Sequence, residues 1–155
     1  MRRVFQVVTV LLAASAALQL YFAAVGVFSS EENDPFALHT TNGRIVLPIL
    51  VLLTILCAAL AHAGRRTIWI TVIVFVLLVF QTLFILIPSL IFGVEPGGDN
   101  VPAVATALMA LHGINGGVIV ALSGTLVERS TALAARRESH PRPVEAVPER
   151  DAVPH

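Results

Sequence analysis

The sequence is short of nearly everything a soluble enzyme is built from. Charged residues fill 13% of its 155 positions, against about 25% in ordinary soluble domains. No Asp or Glu falls inside any of its long apolar stretches, so the carboxylate relay of a proton- or sodium-coupled transporter is missing. A small transporter component therefore ranks third among the readings of this chain. A channel would need a polar stripe, and Gln6, Gln19 and Gln81 make a thin one. The single cysteine, Cys57, excludes an intrachain disulfide and offers no zinc motif. It reads as a small packing residue. No serine has an acid–base constellation near it, which argues against a hydrolase. The formal net charge is zero, so nothing points to nucleic acid.

What is present is hydrophobic sequence, 56% of the chain. A membrane-spanning helix takes about 20 apolar residues, and four stretches are of that order. They run over 4–28, 44–61, 67–92 and 104–127, and the first and third contain no charged residue at all. Allowing for their flanks, the spans are expected at about 4–28, 36–61, 67–92 and 103–127. Too little chain remains for a soluble domain of any size. Helix is the expected state in lipid because it satisfies each backbone group within its own segment. The runs are continuous and do not alternate, which argues against a barrel. The predicted fold is all-α, an integral membrane four-helix bundle.

Charge placement sets the expected orientation. Arg2 and Arg3 precede the first span, Arg65 and Arg66 separate the second from the third, and Arg129, Arg136 and Arg137 follow the fourth. The other two loops are acidic, with Glu31, Glu32 and Asp34 in one and Glu95 and Asp99 in the other. Arginine collects on the cytoplasmic side, so both termini are expected in the cytoplasm of a multi-pass protein of the cell membrane. The first apolar run is long for a signal-peptide core, so the first span is expected to be retained. The fourth helix is expected to continue to about residue 137. Beyond it, 138–155 carries four prolines and mixed charges and is expected to be a disordered cytoplasmic tail. The membrane domain is thus 1–137. Asp34 before Pro35, and Asp99 or Asn100 before Pro102, offer N-caps. Pro48 is expected to bend span two, and Pro88 to kink or end span three.

One short pattern occurs twice. His39 is followed at the third and fourth positions by Asn42 and Gly43, and His112 likewise by Asn115 and Gly116. Gln19 and Phe22 in the first span have counterparts in Gln81 and Phe84 in the third. The chain therefore reads as two parallel helical hairpins related by a pseudo-twofold axis along the membrane normal. His39 precedes Ala61 by the same 22 residues that separate His112 from Ala134. At 1.5 Å per residue both histidines lie about 33 Å from those landmarks, at similar heights near the outer face. His62 sits at the inner end of span two, and His140 and His155 in the tail; all three read as solvated or interfacial.

Residues three and four apart share a helix face, so each Asn–Gly pair lies under its histidine. A glycine there makes room for a flat ligand, and an asparagine offers a donor and an acceptor. Arg44, replaced by Gly117 in the second copy, is placed to pair with a ligand carboxylate such as a haem propionate. Gln19 and Gln81 are placed to line the pocket or to hydrogen-bond the histidines. Tyr21, Phe22 and Phe84 are candidates for packing on the ligand's edge. The leading expectation is b-type haem between spans two and four, with His39 and His112 as its axial ligands. The protein would then act in electron transfer, or as a subunit or partner of a membrane redox complex. The alternative is a non-catalytic membrane subunit or scaffold in which the repeated pattern packs helices, since small residues and His or Asn hydrogen bonds do that work in membranes. A quinone or a metal such as copper is a further possibility for the pair.

Over residues 3–129 the chain resembles a family of small bacterial four-span proteins classed as a domain of unknown function. The resemblance rests on Gln19, Gly26, Phe28, His39, Asn42, Gly43, Gln81, His112 and Gly116, and it implies an integral membrane protein with no assigned activity. More loosely, a histidine on helices two and four is similar to cytochrome-b-like bundles and to the halves of haem A synthase. The chain departs from these in lacking a second haem-type histidine pair, which argues against haem-biosynthetic catalysis.

Overall fold

The computed structural model describes residues 1–29, 34, 36–94 and 100–135. Four helices account for nearly all of them: α1 (Arg2–Phe28), α2 (Ala37–Leu60), α3 (Arg65–Phe92) and α4 (Ala103–Ala135). Each is long and apolar enough to cross a bilayer, and no strand occurs among the described residues. At 1.5 Å per residue, the 33 residues of α4 extend about 50 Å, well past a hydrocarbon core of about 30 Å. The tail beyond Ala135 and most of both acidic loops lie outside the described residues.

The helices close into a four-membered ring. α1 packs on α2 and α4, and α3 packs on α2 and α4, while the diagonal pairs make no close backbone approach. The buried positions show why. On α1 they include Phe5, Thr9, Leu12 and Ala16; on α2 and its C-cap, Leu47, Val51, Thr54, Ala58 and Ala61; on α3, Thr67, Thr71, Val74 and Leu78. The steps alternate between four and three, a seam with the 3.5-residue repeat of coiled-coil packing. On α4 the stripe is Asn115, Ile119, Ser123, Leu126, Ser130 and Ala134. The opposite faces carry exposed Leu, Ile, Val and Phe, as a bilayer solvent requires.

Apart from Ser123, polar groups inside the seam are tied to neighbouring helices or to the preceding turn. Thr9 and Ser130 share a hydroxyl–hydroxyl bond of 2.7 Å between α1 and α4. Nearer the basic end, Gln6 Nε2 donates to Thr131 Oγ1 and Arg129 Nε donates to Thr67 Oγ1. Thr54 and Thr71 return their hydroxyls to backbone carbonyls of the turn before, at Leu50 and Ile68.

One local expectation, the Asp34 cap, needs correction, and the two prolines take a specific form. Pro88 does not end α3; the helix runs on through it to Phe92 and stops at Gly93, whose left-handed backbone (φ 62°) glycine adopts without a Cβ penalty. Asp34 does not cap α2 with its side chain. Phe36 holds the N-cap position without a side-chain bond, and Asp34 instead accepts the Ala37 N–H on its backbone carbonyl at 3.0 Å. Pro35 lies outside the described residues. Near Pro48, the local feature is a π turn over Asn42–Val46, immediately before Leu47 and Pro48. Proline lacks an N–H and clashes with the carbonyl four residues back, and a wider turn relieves both problems.

Leu126 is fully buried where α4 meets the main apolar cluster. Leu126→Ala is expected to lower stability by about 2–5 kcal/mol. Leu52→Ala, on the exposed face of α2, is expected to change it far less. Denaturant unfolding of both variants in mild detergent measures the difference.

Candidate functional site

Near the end of the bundle opposite the arginine-rich turn, two hydrogen-bonded clamps face each other. In the first, α1 and α2 exchange side chain for backbone. Gln19 Nε2 donates to the His39 carbonyl at 2.9 Å, and His39 Nδ1 bonds the Gln19 carbonyl at 3.1 Å. In the second, α3 and α4 do the same. Gln81 Nε2 donates to the His112 carbonyl at 2.8 Å, and His112 Nδ1 bonds the Gln81 carbonyl at 2.9 Å.

One helical turn further in, each asparagine locks its glutamine. Asn42 Nδ2 donates to Gln19 Oε1 at 2.7 Å and to the Ser15 carbonyl at 3.0 Å. Asn115 Nδ2 donates to Gln81 Oε1 and, at 2.8 Å, to the Leu77 carbonyl. Both asparagines are buried. Ser15 adds one bond that the other clamp lacks, its hydroxyl donating to Asn42 Oδ1 at 2.7 Å. Leu77 occupies the matching place on α3 and has no hydroxyl to give.

The glycines belong to the same machinery. A Cβ on Gly43 would stand 2.6 Å from Gln19 Nε2, and one on Gly116 would stand 3.3 Å from Gln81 Nε2. The room that each glycine leaves is taken by a glutamine amide. Gly26 does a similar service for Phe36, whose ring lies 2.5 Å from where a Cβ would be. Phe36 in turn meets His39 edge-on, with centroids 6.2 Å apart and planes at 85°.

The two imidazoles meet across the ring of helices. Their centroids are 5.9 Å apart and their planes are inclined by 49°. They come from α2 and α4, the diagonal pair whose backbones stay apart, so the contact is made by side chains reaching inward. A carbonyl oxygen only accepts, so each Nδ1 in these bonds carries the proton. In a neutral imidazole, Nε2 is then the unprotonated nitrogen, with its lone pair free for a ligand or a proton. Within the ring the two nitrogens point in divergent directions, so Nε2 is turned away from the helix that holds Nδ1.

The structure thus gathers His39, His112, Gln19, Gln81, Asn42, Asn115, Gly43 and Gly116 in one region. Arg44 stands apart. It is exposed, and it makes no hydrogen bond or ion pair among the described residues. Tyr21 is 61% exposed and faces outward, whereas Phe22 and Phe84 are half-buried. No cluster of three or more His, Cys, Asp or Glu capable of holding a metal ion occurs among the described residues. The glutamine side chains hold the histidine backbones, and the imidazoles bond the glutamine backbones. Sequence spacing cannot announce a backbone acceptor. Ser15 also escaped notice, although it stands one turn before Gln19 on the same face. Phe36 was missed too; its proximity to His39 in sequence was the available signal.

Residues 19–87 match the model of a family of unknown function (DUF6220). That segment contains the first clamp from Gln19 onward and ends after Gln81, before His112. No curated protein and no solved structure matches the chain. The four apolar helices describe a small four-helix membrane protein, and over residues 19–87 it is similar to that family of unknown function.

The two glycine distances order two substitutions. Gly43→Ala is expected to displace the Gln19 amide and to cost about 1–3 kcal/mol, the usual range for overpacking. Gly116→Ala, with the looser contact, is expected to cost less. Unfolding midpoints of the two variants in the same detergent check the order. Equal losses would mean that the glutamine amides yield freely and that the glycines serve something else.

Proposed function

We propose that His39 and His112 are the axial ligands of a b-type haem held between α2 and α4. On this reading the protein is an electron carrier, or a subunit or partner of a membrane redox complex. The observation that carries the proposal is the tautomer. Both imidazoles give their Nδ1 protons to backbone carbonyls, which leaves two Nε2 lone pairs on half-buried rings that meet between the helices. Metal-binding histidines are typically held in this way, with the second nitrogen donating to a carbonyl or carboxylate.

Spacing and ligand count support the same reading. The two ring centroids lie 5.9 Å apart, so one group held between the rings would be within reach of both. A zinc or copper site would draw further ligands from the protein, and no third His, Cys, Asp or Glu joins the pair among the described residues. A porphyrin supplies its own equatorial nitrogens and asks the protein for two. The bound haem would supply one-electron chemistry. The chain's own residues fix both imidazoles in orientation and tautomer and surround them with an apolar bundle. Arg44 would be available to a propionate near the rim.

We read the chain as two parallel hairpins in the cell membrane. The arginines of 2–3, 65–66 and 129 mark the cytoplasmic side, and the histidine pair lies towards the outer face. Matching bonds in the two clamps support this pairing of the halves.

One observation favours the second reading, a membrane scaffold without a cofactor. The amides of Gln19, Asn42, Gln81 and Asn115 bind one another and the backbone, so these four residues need no ligand. Interhelical bonds of this kind average about 0.6 kcal/mol in a membrane bundle, and the clamps contain several.

Absorption spectroscopy separates the two readings. Full-length protein purified from haem-replete cells is expected to show a Soret band typical of two histidine ligands. His39→Ala or His112→Ala is expected to abolish or shift it. A colourless, iron-free preparation that takes up no haem on titration would sink the haem reading. The scaffold reading expects both variants to lose stability with no change in colour.

A further inference from the structure

Every basic side chain apart from histidine in this chain is an arginine. Most of those described gather at one end of the bundle: Arg2 and Arg3 at the start of α1, Arg65 and Arg66 at the start of α3, and Arg129 late in α4. The described residues at that end include a single carboxylate, Glu128, which is exposed.

Arg129 is not a loose surface cation. It is half-buried, and its Nε donates to Thr67 Oγ1 at 3.0 Å. Thr67 is itself buried, at 4% exposure, in the first turn of α3. The bond uses one of the five guanidinium donors and ties the side chain to the first turn of α3, the turn that also carries exposed Arg65 and Arg66.

Above the arginines, α3 presents an ordered exterior. Arg66, Trp69, Ile73, Val76 and Phe80 are all exposed and follow one another by three or four residues. They form one outward stripe. Trp69, the chain's single tryptophan, lies one turn above Arg66, and indoles favour the level where headgroups meet acyl chains. From the end of the bundle inward the order is guanidinium, indole, aliphatic stripe. A phospholipid presents the same order as phosphate, glycerol ester and acyl chain.

We propose that Arg129 and Arg66 bind the headgroup phosphate of an anionic phospholipid whose acyl chain lies along the Trp69–Ile73–Val76 stripe of α3. Arginine suits this task because its planar fork matches phosphate oxygens and is weakly hydrated for a cation. Thr67 is a positioning residue that aims Arg129. The aliphatic stripe selects a lipid over a free anion, which would leave it unused. The site is independent of the histidine pair and stands whichever reading of that pair is correct.

The test uses full-length protein in mild detergent, with phosphatidylglycerol or phosphatidylcholine added at equal mole fraction. Native mass spectrometry reads lipid retention, and thermal unfolding reads stabilisation. Phosphatidylglycerol is expected to be retained more strongly than phosphatidylcholine and to raise the unfolding midpoint further. Arg129→Gln is expected to retain phosphatidylglycerol roughly fivefold less, the effect of removing one basic group near anionic headgroups. Thr67→Val is expected to lose part of the preference while keeping every charge, and Thr67→Ser to keep it. The double variant Arg2→Gln/Arg3→Gln removes more charge but is expected to leave the preference nearly intact. If Arg129→Gln fails to fold, Arg66→Gln takes its place, and full retention in that variant counts against the site. Equal retention of the two lipids by the unmodified protein overturns the proposal. So does a loss in the Arg2/Arg3 variant as large as that in Arg129→Gln, since net charge would then suffice. Stabilisation by inorganic phosphate at matched ionic strength, equal to that by the lipid, would overturn the assignment to a lipid.

Discussion

A buried amide in an apolar bundle must find its partner on another helix, and that demand organises the half of this molecule that carries the histidine pair. Gln19 and Gln81 are the pivots. In each glutamine the amide nitrogen holds the histidine carbonyl and the amide oxygen receives asparagine. Its backbone carbonyl fixes the imidazole. A single residue thereby sets the height, the rotation and the tautomer of the histidine on the next helix. Leaving such a group buried and unpaired costs about 1–3 kcal/mol. Among the described residues, the Ser123 hydroxyl is the one buried side-chain polar atom without a partner.

Much of this was open to reading in the sequence, because the membrane imposes long apolar runs and because polar residues inside them are conspicuous. Spans expected at about 4–28, 36–61, 67–92 and 103–127 correspond to helices at Arg2–Phe28, Ala37–Leu60, Arg65–Phe92 and Ala103–Ala135. The juxtaposition of His39 with His112 follows from their similar heights and from the ring arrangement of the helices. The bonding pattern was less legible. Backbone carbonyls are present at every position, so side-chain spacing carries no trace of which ones are used. Ser15 has no counterpart at Leu77, and a search for repeated residues passes over it. Pro88 lies inside α3 without ending it: a long apolar helix embedded among neighbours tolerates a missing N–H that would end a shorter, solvated one.

The two clamps are alike but not equal. Ser15 braces Asn42, and Phe36 closes edge-on against His39, while the Asn115 clamp has Leu77 and no added hydroxyl. Arg44 flanks the first motif, and Gly117 the second. The first half therefore holds its histidine with more contacts than the second. A near-symmetric frame with unequal walls gives its two sides different stiffness while keeping their geometry matched.

The π turn at Asn42–Val46 bears on how such a frame tolerates change in chain length. From Asn42 to the next buried position, Leu47, is five residues; from Asn115 to Ile119 is four. Below those points the two inward stripes proceed with steps of four and three. The wider turn absorbs the additional residue within one turn, so the histidine above and the seam below keep the same phase. The helix thus contains its own slip joint. Loss of one residue inside 43–46 would convert it to regular α-helix and leave both ends in register, a tolerance that the unbroken seams of the other three helices do not share.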